Sequence, residues 1–189
     1  LGMVETDLLR SAQVTSRLAT GYRLSARGPR AVNDRDWVTA AASSIYSTPR
    51  DMARYLAALL GGGANEHGSV LKPATLATTF GPHYQADPRL PGAGLGFFRA
   101  DLGGHMAVEH QGLLPGFNAQ IWVAPNDGVG VMAFTNGSKG AMSWLPPETG
   151  RLLRQLIGVP DDVVRTNVPH HPEIWGDLCG RYRVFAQLT

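Results

Sequence analysis

The sequence predicts an α+β fold in which helices flank an antiparallel sheet. Two amphipathic segments have the apolar spacing of helices, one beginning near Thr48 and the other near Pro147. Between them, the stretch from Leu95 to Asn136 contains consecutive short apolar runs separated by turn residues, which is the pattern of antiparallel strands. Because these strands follow one another without intervening helices, we expect helices to cover the faces of one antiparallel sheet.

The first helix has a defined start, an apolar stripe and a defined end. Thr48 is a good N-cap, Pro49 suits the first helical position, and Asp51 places a negative charge in the first turn. Apolar residues then recur at i, i+3, i+4, i+7 and i+8: Met52, Tyr55, Leu56, Leu59 and Leu60. The glycines Gly61–Gly63 end the helix, because glycine adopts left-handed conformations without steric cost.

The later elements follow from turn residues and apolar runs. A shorter helix is predicted over 73–80, and a surface loop over 81–94, where Pro and Gly pairs cluster. Four strands follow: Gly94–Arg99, His105–Gln111, Asn118–Ala124 and Gly128–Thr135. The last two form the strongest hairpin signal, with Asp127-Gly128 in the turn. A loop over 136–140 leads to the final helix, from about Pro147 to Ile157, which Gly158 ends.

Composition along the chain divides it into three parts. Residues 1–158 hold all the predicted elements of the α+β domain. Residues 159–173 contain three prolines and the pair His170-His171, which indicates a linker, since neighbouring histidines in an irregular stretch are seldom metal ligands. Residues 174–189 are predicted to start an additional β domain, whose first strand includes Cys179–Phe185.

Charge and cysteine usage exclude several classes of protein. The formal net charge is +2 and the only lysines are Lys72 and Lys139, so we expect no nucleic-acid partner. The single cysteine, Cys179, rules out an intrachain disulfide, and nothing in the sequence implies a metal ion or a cofactor. No apolar run approaches the roughly 20 residues that span a bilayer, and residues 1–9 lack the pattern of a signal peptide. The sequence leaves open whether the protein, which we expect to be bacterial, is cytoplasmic or exported.

Several phrases in a fixed order resemble the serine β-lactamase-like and penicillin-binding-protein-like family, which includes class C β-lactamases and esterase relatives. They are Leu1-Gly2-Met3 with Thr6, Ala19–Tyr22, Ser44–Thr48 with Asp51–Leu56, Gly94–Phe97, His110-Gln111-Gly112 with Leu114–Phe117, Gly128–Val131, and Thr135-Asn136. Together they extend over residues 1 to about 158. The resemblance implies the C-terminal part of a β-lactamase/transpeptidase-like fold, without the segment that holds the catalytic serine.

The resemblance also implies a reaction. In this family a serine attacks a carbonyl, a lysine one helical turn later activates it, and a Tyr-x-Asn motif assists proton transfer. A third motif borders the site, and His110-Gln111-Gly112 matches its His-x-Gly form in esterase-like relatives. By this resemblance His110 faces the cleft, Gly112 keeps the strand flat against the substrate, and the N–H of Leu113 is an oxyanion-hole donor. Gln111 and Tyr22 would line the substrate-binding cleft. Because neutral histidine attracts an anion less than lysine does, an ester or peptide-like substrate is favoured over a penicillin.

Two of the family's motifs depart from the pattern here. No Tyr-x-Asn occurs in the sequence, and the Ser-x-x-Lys of Ser69–Lys72 comes after the Leu-Gly-Met phrase, whereas the family's nucleophile precedes that phrase. Pro73 directly follows Lys72 and disfavours helical geometry there, so the serine and the lysine would not lie one helical turn apart. We therefore interpret Ser69–Lys72 as a chance match.

These observations leave more than one function open. In the first hypothesis, the full-length parent is a serine hydrolase that acts on a small ester, amide or peptide-like substrate through an acyl-enzyme, and the isolated chain is inactive. In the second, the chain is a non-catalytic β-lactamase-like binding module. A third makes Ser69 and Lys72 a relocated nucleophile pair. We also expect the Gly128–Thr135 strand to offer an open apolar edge that pairs with a complementary N-terminal fragment or a second copy of the chain.

Overall fold

The computed structural model describes residues 1–33, 40–87, 90–138, 144–161, 166 and 169–181. Its helices are α1 (Ala12–Arg17), α2 (Ala40–Ser43), α3 (Pro49–Leu60), α4 (Pro73–Phe80), α5 (Leu145–Leu156) and α6 (Trp175–Leu178), and a 3-10 turn spans Pro172–Ile174. Its strands are β1 (Gly21–Ser25), β2 (Gly28–Val32), β3 (Ala64–Asn65), β4 (Gly68–Ser69), β5 (Gly92–Ala93), β6 (Phe98–Asp101), β7 (Met106–Leu114), β8 (Phe117–Ala124), β9 (Val129–Thr135) and β10 (Gly137–Ser138).

Five of these strands form one antiparallel sheet in the order β5-β6-β7-β8-β9. Strands that are neighbours in the sequence are therefore neighbours in the sheet. A smaller sheet has the order β10-β1-β2, in which β10 runs parallel to β1, and β3 pairs with β4 as a short hairpin. The predicted α+β architecture, an antiparallel sheet with helices on its faces, is confirmed.

Side chains of the central strands point alternately to the two faces of the large sheet, and both faces are apolar. On one face, Val108 of β7 and Val123 of β8 pack with Leu59 of α3 and with Leu76 and Phe80 of α4. On the other face, a second buried cluster contains Leu102, Ala107, Ala124, Val131 and Leu153, the last from α5. The adjacent residues Ala107 and Val108 are both fully buried, because a helical layer covers each face.

Three predicted helices are confirmed. α3 begins after Thr48, whose side chain accepts a hydrogen bond from the N–H of Asp51, and it ends at the C-cap Gly61. α4 has the predicted bounds, Pro73–Phe80. α5 starts at Leu145 rather than at Pro147 and ends close to the predicted position. The predicted hairpin of the last two strands is also present, as β8 and β9.

Several predicted boundaries are wrong. The strand predicted over 94–99 begins only at Phe98, because the N–H of Gly94 donates to the carbonyl of Phe97 and closes a turn there. The strand predicted to end at Gln111 continues to Leu114. The loops predicted over 81–94 and 136–140 each contain a short paired strand, β5 and β10.

The sequence patterns also do not predict the hairpin of β1 and β2. Gly21–Ser25 pairs with Gly28–Val32 in antiparallel register. Most side chains of these two strands are exposed, so they lack the apolar alternation by which a half-buried strand is recognised.

At the C-terminal end of the described chain, helical turns precede the predicted strand Cys179–Phe185. A 3-10 turn over Pro172–Ile174 leads into α6, which spans Trp175–Leu178. Residues 182–189, which hold most of the predicted strand, lie outside the described residues, so the division into 1–158, 159–173 and 174–189 stays a prediction. Within the described ranges, no helix is both long enough and apolar enough to cross a membrane.

Candidate active site

The residues predicted for the site lie on the C-terminal half of β7. The pairing of β6 with β7 extends only as far as Phe98 opposite Glu109. From His110 to Leu114, β7 pairs with β8, and no other strand of the described residues continues along its outer side. We call His110–Leu114 the free edge. Its extended backbone presents N–H and C=O groups to a ligand or to another polypeptide.

His110 is the first residue of the free edge. Its side chain is exposed, and its imidazole ring stacks on the ring of Phe98, with centroids 6.4 Å apart and planes inclined by 14°. Phe98 is itself 50% exposed. The stack therefore holds a histidine ring at the open boundary between the end of β6 and the free edge.

Gly112, the middle residue of the free edge, has no side chain. A Cβ atom at this position would meet only the Cβ of Ala119, at 3.4 Å, which is ordinary van der Waals contact. The face of the sheet is therefore open at Gly112, and the absence of a side chain leaves the backbone accessible there. Leu113 follows on the free edge, where it pairs with Asn118 and its side chain is 42% exposed.

Because side chains alternate along a strand, Gln111 lies on the face opposite to that of His110. The face of Gln111 is the one that α5 covers. Gln111 lies across from Gln120, which is 1% exposed. The Nε2 of Gln120 donates to Oε2 of Glu109 at 2.6 Å, whereas its Oε1 is buried and finds no hydrogen-bond partner in the described part of the chain. Burial raises the pKa of Glu109, and the hydrogen bond from Gln120 and the nearby His110 offset part of this increase. Sequence reasoning assigned no role to the Glu109–Gln120 pair.

A junction of backbone contacts holds the far end of the free edge against β1. Gly116, in the turn between β7 and β8, has φ +86° and lies directly on Gly21 and the backbone nitrogen of Tyr22. The N–H of Gly116 donates to Oγ of Ser138 at 3.0 Å. The N–H of Tyr22 donates to the carbonyl of Asn136 at 2.8 Å. The structure therefore brings Tyr22 to the end of the free edge through its backbone.

The Ser-x-x-Lys of Ser69 and Lys72 does not form a helical pair. Ser69 ends β4, and its hydroxyl donates to the carbonyl of Leu71 at 3.0 Å. Lys72 is extended, with φ −75° and ψ 148°, and precedes the first residue of α4, Pro73. The prediction that Pro73 keeps Lys72 out of helical geometry is confirmed.

The two neighbouring histidines of the predicted linker make local contacts. His170 of the predicted linker lies edge-on to Trp175, with ring centroids 5.4 Å apart, and His171 pairs with Glu173 at 2.8 Å. Among the described residues, no three histidine, cysteine, aspartate or glutamate side chains are grouped closely enough to hold a metal ion.

Sequence reasoning also missed a buried anchor on α3. Asp51, predicted only as a favourable charge in the first helical turn, is fully buried. Its Oδ2 accepts hydrogen bonds from the N–H of Glu5 at 2.7 Å and from the hydroxyl of Thr6 at 2.9 Å, and its Oδ1 accepts one from Arg54 at 2.8 Å. One feature of the sequence points to these contacts. Thr6 and Asp51 both belong to the phrases that carry the family resemblance, and Glu5 is next to Thr6.

The family model described as Beta-lactamase matches residues 1–154, which is most of the chain. The chain belongs to the Beta-lactamase family. It is 29% identical over 199 residues to the beta-lactamase-like 1 protein of Homo sapiens, a match that covers 100% of this chain and 37% of the human protein.

Solved structures share the fold of this Beta-lactamase family chain. The octameric penicillin-binding protein homologue from Pyrococcus abyssi aligns with a TM-score of 0.67 at 20% identity, over 84% of this chain and 35% of that one. The beta-lactamase/D-alanine carboxypeptidase from Pseudomonas syringae aligns with a TM-score of 0.60 at 15% identity, over 74% of this chain and 46% of that one. This chain spans less than half the length of each relative, and the alignments show a β-lactamase/transpeptidase-like fold.

Proposed function

We propose that this chain supplies the strand that borders the active site of a serine hydrolase acting through an acyl-enzyme. The nucleophilic serine comes from polypeptide outside residues 1–189. The observation that carries the proposal is the free edge, which is open on its outer side and unobstructed at Gly112. The substrate class is a small ester, amide or peptide-like molecule.

The free edge suits acyl transfer for an electrostatic reason. When a hydroxyl attacks a carbonyl, negative charge develops on the carbonyl oxygen, and N–H donors directed at that oxygen stabilise the transition state. We assign the N–H of Leu113 as one such donor, a contribution of about 3 kcal/mol. The absence of a side chain at Gly112 lets the substrate carbonyl approach the backbone closely.

We assign His110 to orienting the reacting acyl group. Its ring is exposed at the start of the free edge and stacks on Phe98, which limits the directions in which it can point. A neutral imidazole attracts a carboxylate less strongly than an ammonium group would, which favours an ester or an uncharged amide over a penicillin. Tyr22, held at the far end of the free edge, and Gln111 are the proposed lining residues.

The names of two solved relatives support an amide or peptide-like substrate. One is a beta-lactamase/D-alanine carboxypeptidase and another is a penicillin-binding protein homologue.

One observation favours a second candidate, a non-catalytic binding module. The sequence has no Tyr-x-Asn, and the Ser-x-x-Lys at Ser69 lacks helical geometry, so the chain alone has no evident nucleophile.

Covalent labelling of the nucleophile tests the proposal. The full-length protein that contains this chain is incubated with a fluorophosphonate probe or a fluorescent penicillin, beside residues 1–189 alone. We expect the full-length protein to label and the isolated chain to stay unlabelled. If the full-length protein never labels, the hydrolase proposal fails and the binding module replaces it. Labelling of the isolated chain that Ser69→Ala abolishes would support the relocated pair instead.

We also propose that β9 has a partner. It is the last strand of the large sheet, and among the described residues it pairs with β8 alone. Its seven residues, Val129–Thr135, include no charge and no proline, which are the usual protections of an exposed edge. A complementary N-terminal segment or a second copy of the chain would satisfy this edge. The Pyrococcus abyssi relative is described as octameric, which is in keeping with association in this family.

A further inference from the structure

The first seven residues have no helix and a single β-bridge, between Asp7 and Tyr46, yet distant side chains fix their backbone. The carbonyl of Leu1 accepts a hydrogen bond from Nδ2 of Asn65 at 3.0 Å. The carbonyl of Gly2 accepts one from Nη1 of Arg54 at 2.8 Å. Local hydrogen bonding alone therefore does not determine the path of this segment.

The same segment donates as well as accepts. The N–H of Glu5 and the hydroxyl of Thr6 both donate to Oδ2 of Asp51, at 2.7 and 2.9 Å. The hydroxyl of Thr6 also lies 2.8 Å from that of Ser47, just before the N-cap of α3. Residues 1–6 are thus held at their start, middle and end by groups that are more than forty positions away.

The holding groups are joined to one another. Nη1 of Arg54 donates both to the segment and to Oδ1 of Asp51, at 2.8 Å. Nδ2 of Asn65 donates both to Leu1 and to the carbonyl of Arg54, at 3.1 Å. We call Asp51, Arg54 and Asn65 the α3 anchor. Because each member contacts the segment and another member, displacement of the segment would disturb the whole network.

Asp51 is the buried member of the α3 anchor, whereas Arg54 and Asn65 are half-buried. Asp51 is fully buried, and although burial raises its pKa, the hydrogen bonds from Glu5, Thr6 and Arg54 outweigh that effect and lower the pKa below its ordinary value. The carboxylate is therefore charged at neutral pH, and it would be strongly unfavourable without these donors. Gly2 has φ +71°, and its Cα faces the ring of His67 so closely that a Cβ would lie 2.4 Å from Cδ2 of that ring.

The helix that carries the anchor also packs against β7, the strand that carries the candidate site. Leu59 of this helix packs against Val108 of β7, which lies on the same face of the sheet as His110 and two positions before it. Building on the proposed function, we infer that Asp51, Arg54 and Asn65 are positioning residues: by fixing residues 1–6 against α3, they set the orientation in which the nucleophile-bearing polypeptide of the proposed enzyme meets the free edge.

The test compares Arg54→Ala with Arg151→Ala in the full-length protein. Arg151 is a matched control, because it pairs with Glu148 three residues earlier at 2.7 Å, as Arg54 pairs with Asp51, but on the exposed surface of α5. The maximal rate of fluorophosphonate labelling and the half-saturating probe concentration are measured per folded molecule. A misplaced nucleophile lowers the rate about 10- to 100-fold while probe binding changes little. The control variant should match the wild type.

Two further variants keep the inference testable if Arg54→Ala folds poorly. Asn65→Ala removes the contact with Leu1 and leaves the buried carboxylate intact, and Arg54→Lys retains one charged donor. We expect the first to slow labelling and the second to restore part of the rate. If the wild type labels and these variants label at the wild-type rate per folded molecule, the anchor is only structural and the inference is overturned. If the wild type never labels, the hydrolase proposal fails and the inference fails with it.

Discussion

Gly116 lies so close to Gly21 that a Cβ atom at position 116 would come within 2.9 Å of the Cα and the carbonyl carbon of Gly21. Gly116 also has φ +86°, in the left-handed region that disfavours other residues. Gly116→Ala should therefore combine backbone strain of about 1–2 kcal/mol with an overpacking cost of about 1–3 kcal/mol. We expect chemical denaturation to show a free energy of unfolding about 3 kcal/mol lower than that of the wild type.

Gly104→Ala separates these two contributions. Gly104 has φ +93°, close to that of Gly116, but a Cβ atom there would meet nothing within 4 Å. Backbone strain alone should lower the free energy of unfolding of Gly104→Ala, by about 1 kcal/mol. If the free energy of unfolding falls equally in the two variants, the close contact between Gly116 and Gly21 does not contribute to the cost of Gly116→Ala.

Gly112→Ala should separate folding from the proposed activity. A Cβ atom at this position meets only Ala119 at 3.4 Å, and alanine is favoured over glycine in a strand by about 0.5–1 kcal/mol. We therefore expect unchanged or slightly higher thermal stability. In the full-length protein, the same methyl group would project into the space that we propose for the substrate carbonyl, so fluorophosphonate labelling should be slowed severely. Full-rate labelling of a stable Gly112→Ala variant would contradict the role assigned to the free edge.

The helices could be predicted because their signals are local. Thr48 and Pro49 begin α3 as expected, and the glycines after it end it. The hairpin of β8 and β9 follows from the Asp127-Gly128 turn in the same way. These elements depend on residues within a few positions of one another, and the capping and turn preferences act over that distance.

The site was only partly predictable, because its geometry depends on distant contacts. The motif at His110 was found by resemblance, but the free edge exists because β6 starts at Phe98, after a turn that the sequence did not reveal. The α3 anchor joins Asp51 to Glu5 across 46 positions, and no local pattern reports such a contact. The close contact of Gly116 with Gly21 could not be predicted for the same reason, because the two glycines are far apart in the sequence.

Glu109→Gln should stabilise the protein at neutral pH. Burial raises the pKa of Glu109 above its ordinary value of 4.5, so the folded state binds this proton more tightly than the unfolded state does. The ionised carboxylate therefore lowers stability above the folded-state pKa, and this cost disappears below the unfolded-state value. The amide introduced by Glu109→Gln carries no charge and offers a donor to the buried Oε1 of Gln120, a hydrogen bond of about 1 kcal/mol.

Urea denaturation from pH 7 to pH 4 measures this effect. The advantage of Glu109→Gln over the wild type should be largest at pH 7 and should shrink as the pH falls toward 4. Glu148→Gln is the control, since Glu148 is exposed on α5 and pairs with Arg151, and it should change stability by less than about 0.5 kcal/mol. If Glu109→Gln is less stable than the wild type at pH 7, the carboxylate of Glu109 makes favourable contacts that the amide does not replace.

Phe134→Lys should weaken self-association of the isolated chain. Phe134 lies on the edge strand β9 and is 45% exposed, in a strand without charge or proline. A lysine on an edge strand disfavours pairing with another strand, because pairing would bury or crowd the ammonium group. In sedimentation velocity, we expect residues 1–189 to form dimers or larger species that Phe134→Lys shifts toward the 20.2 kDa monomer.

Leu156→Lys distinguishes edge pairing from general hydrophobic association. Leu156 is 56% exposed on α5, so its replacement removes a comparable apolar side chain from a helix, which offers no strand edge for pairing. If association runs through β9, only Phe134→Lys reduces it. A wild-type chain that is monodisperse at 20.2 kDa and unfolds cooperatively would show that β9 needs no partner, because the exposed backbone groups of the edge are then satisfied by water alone.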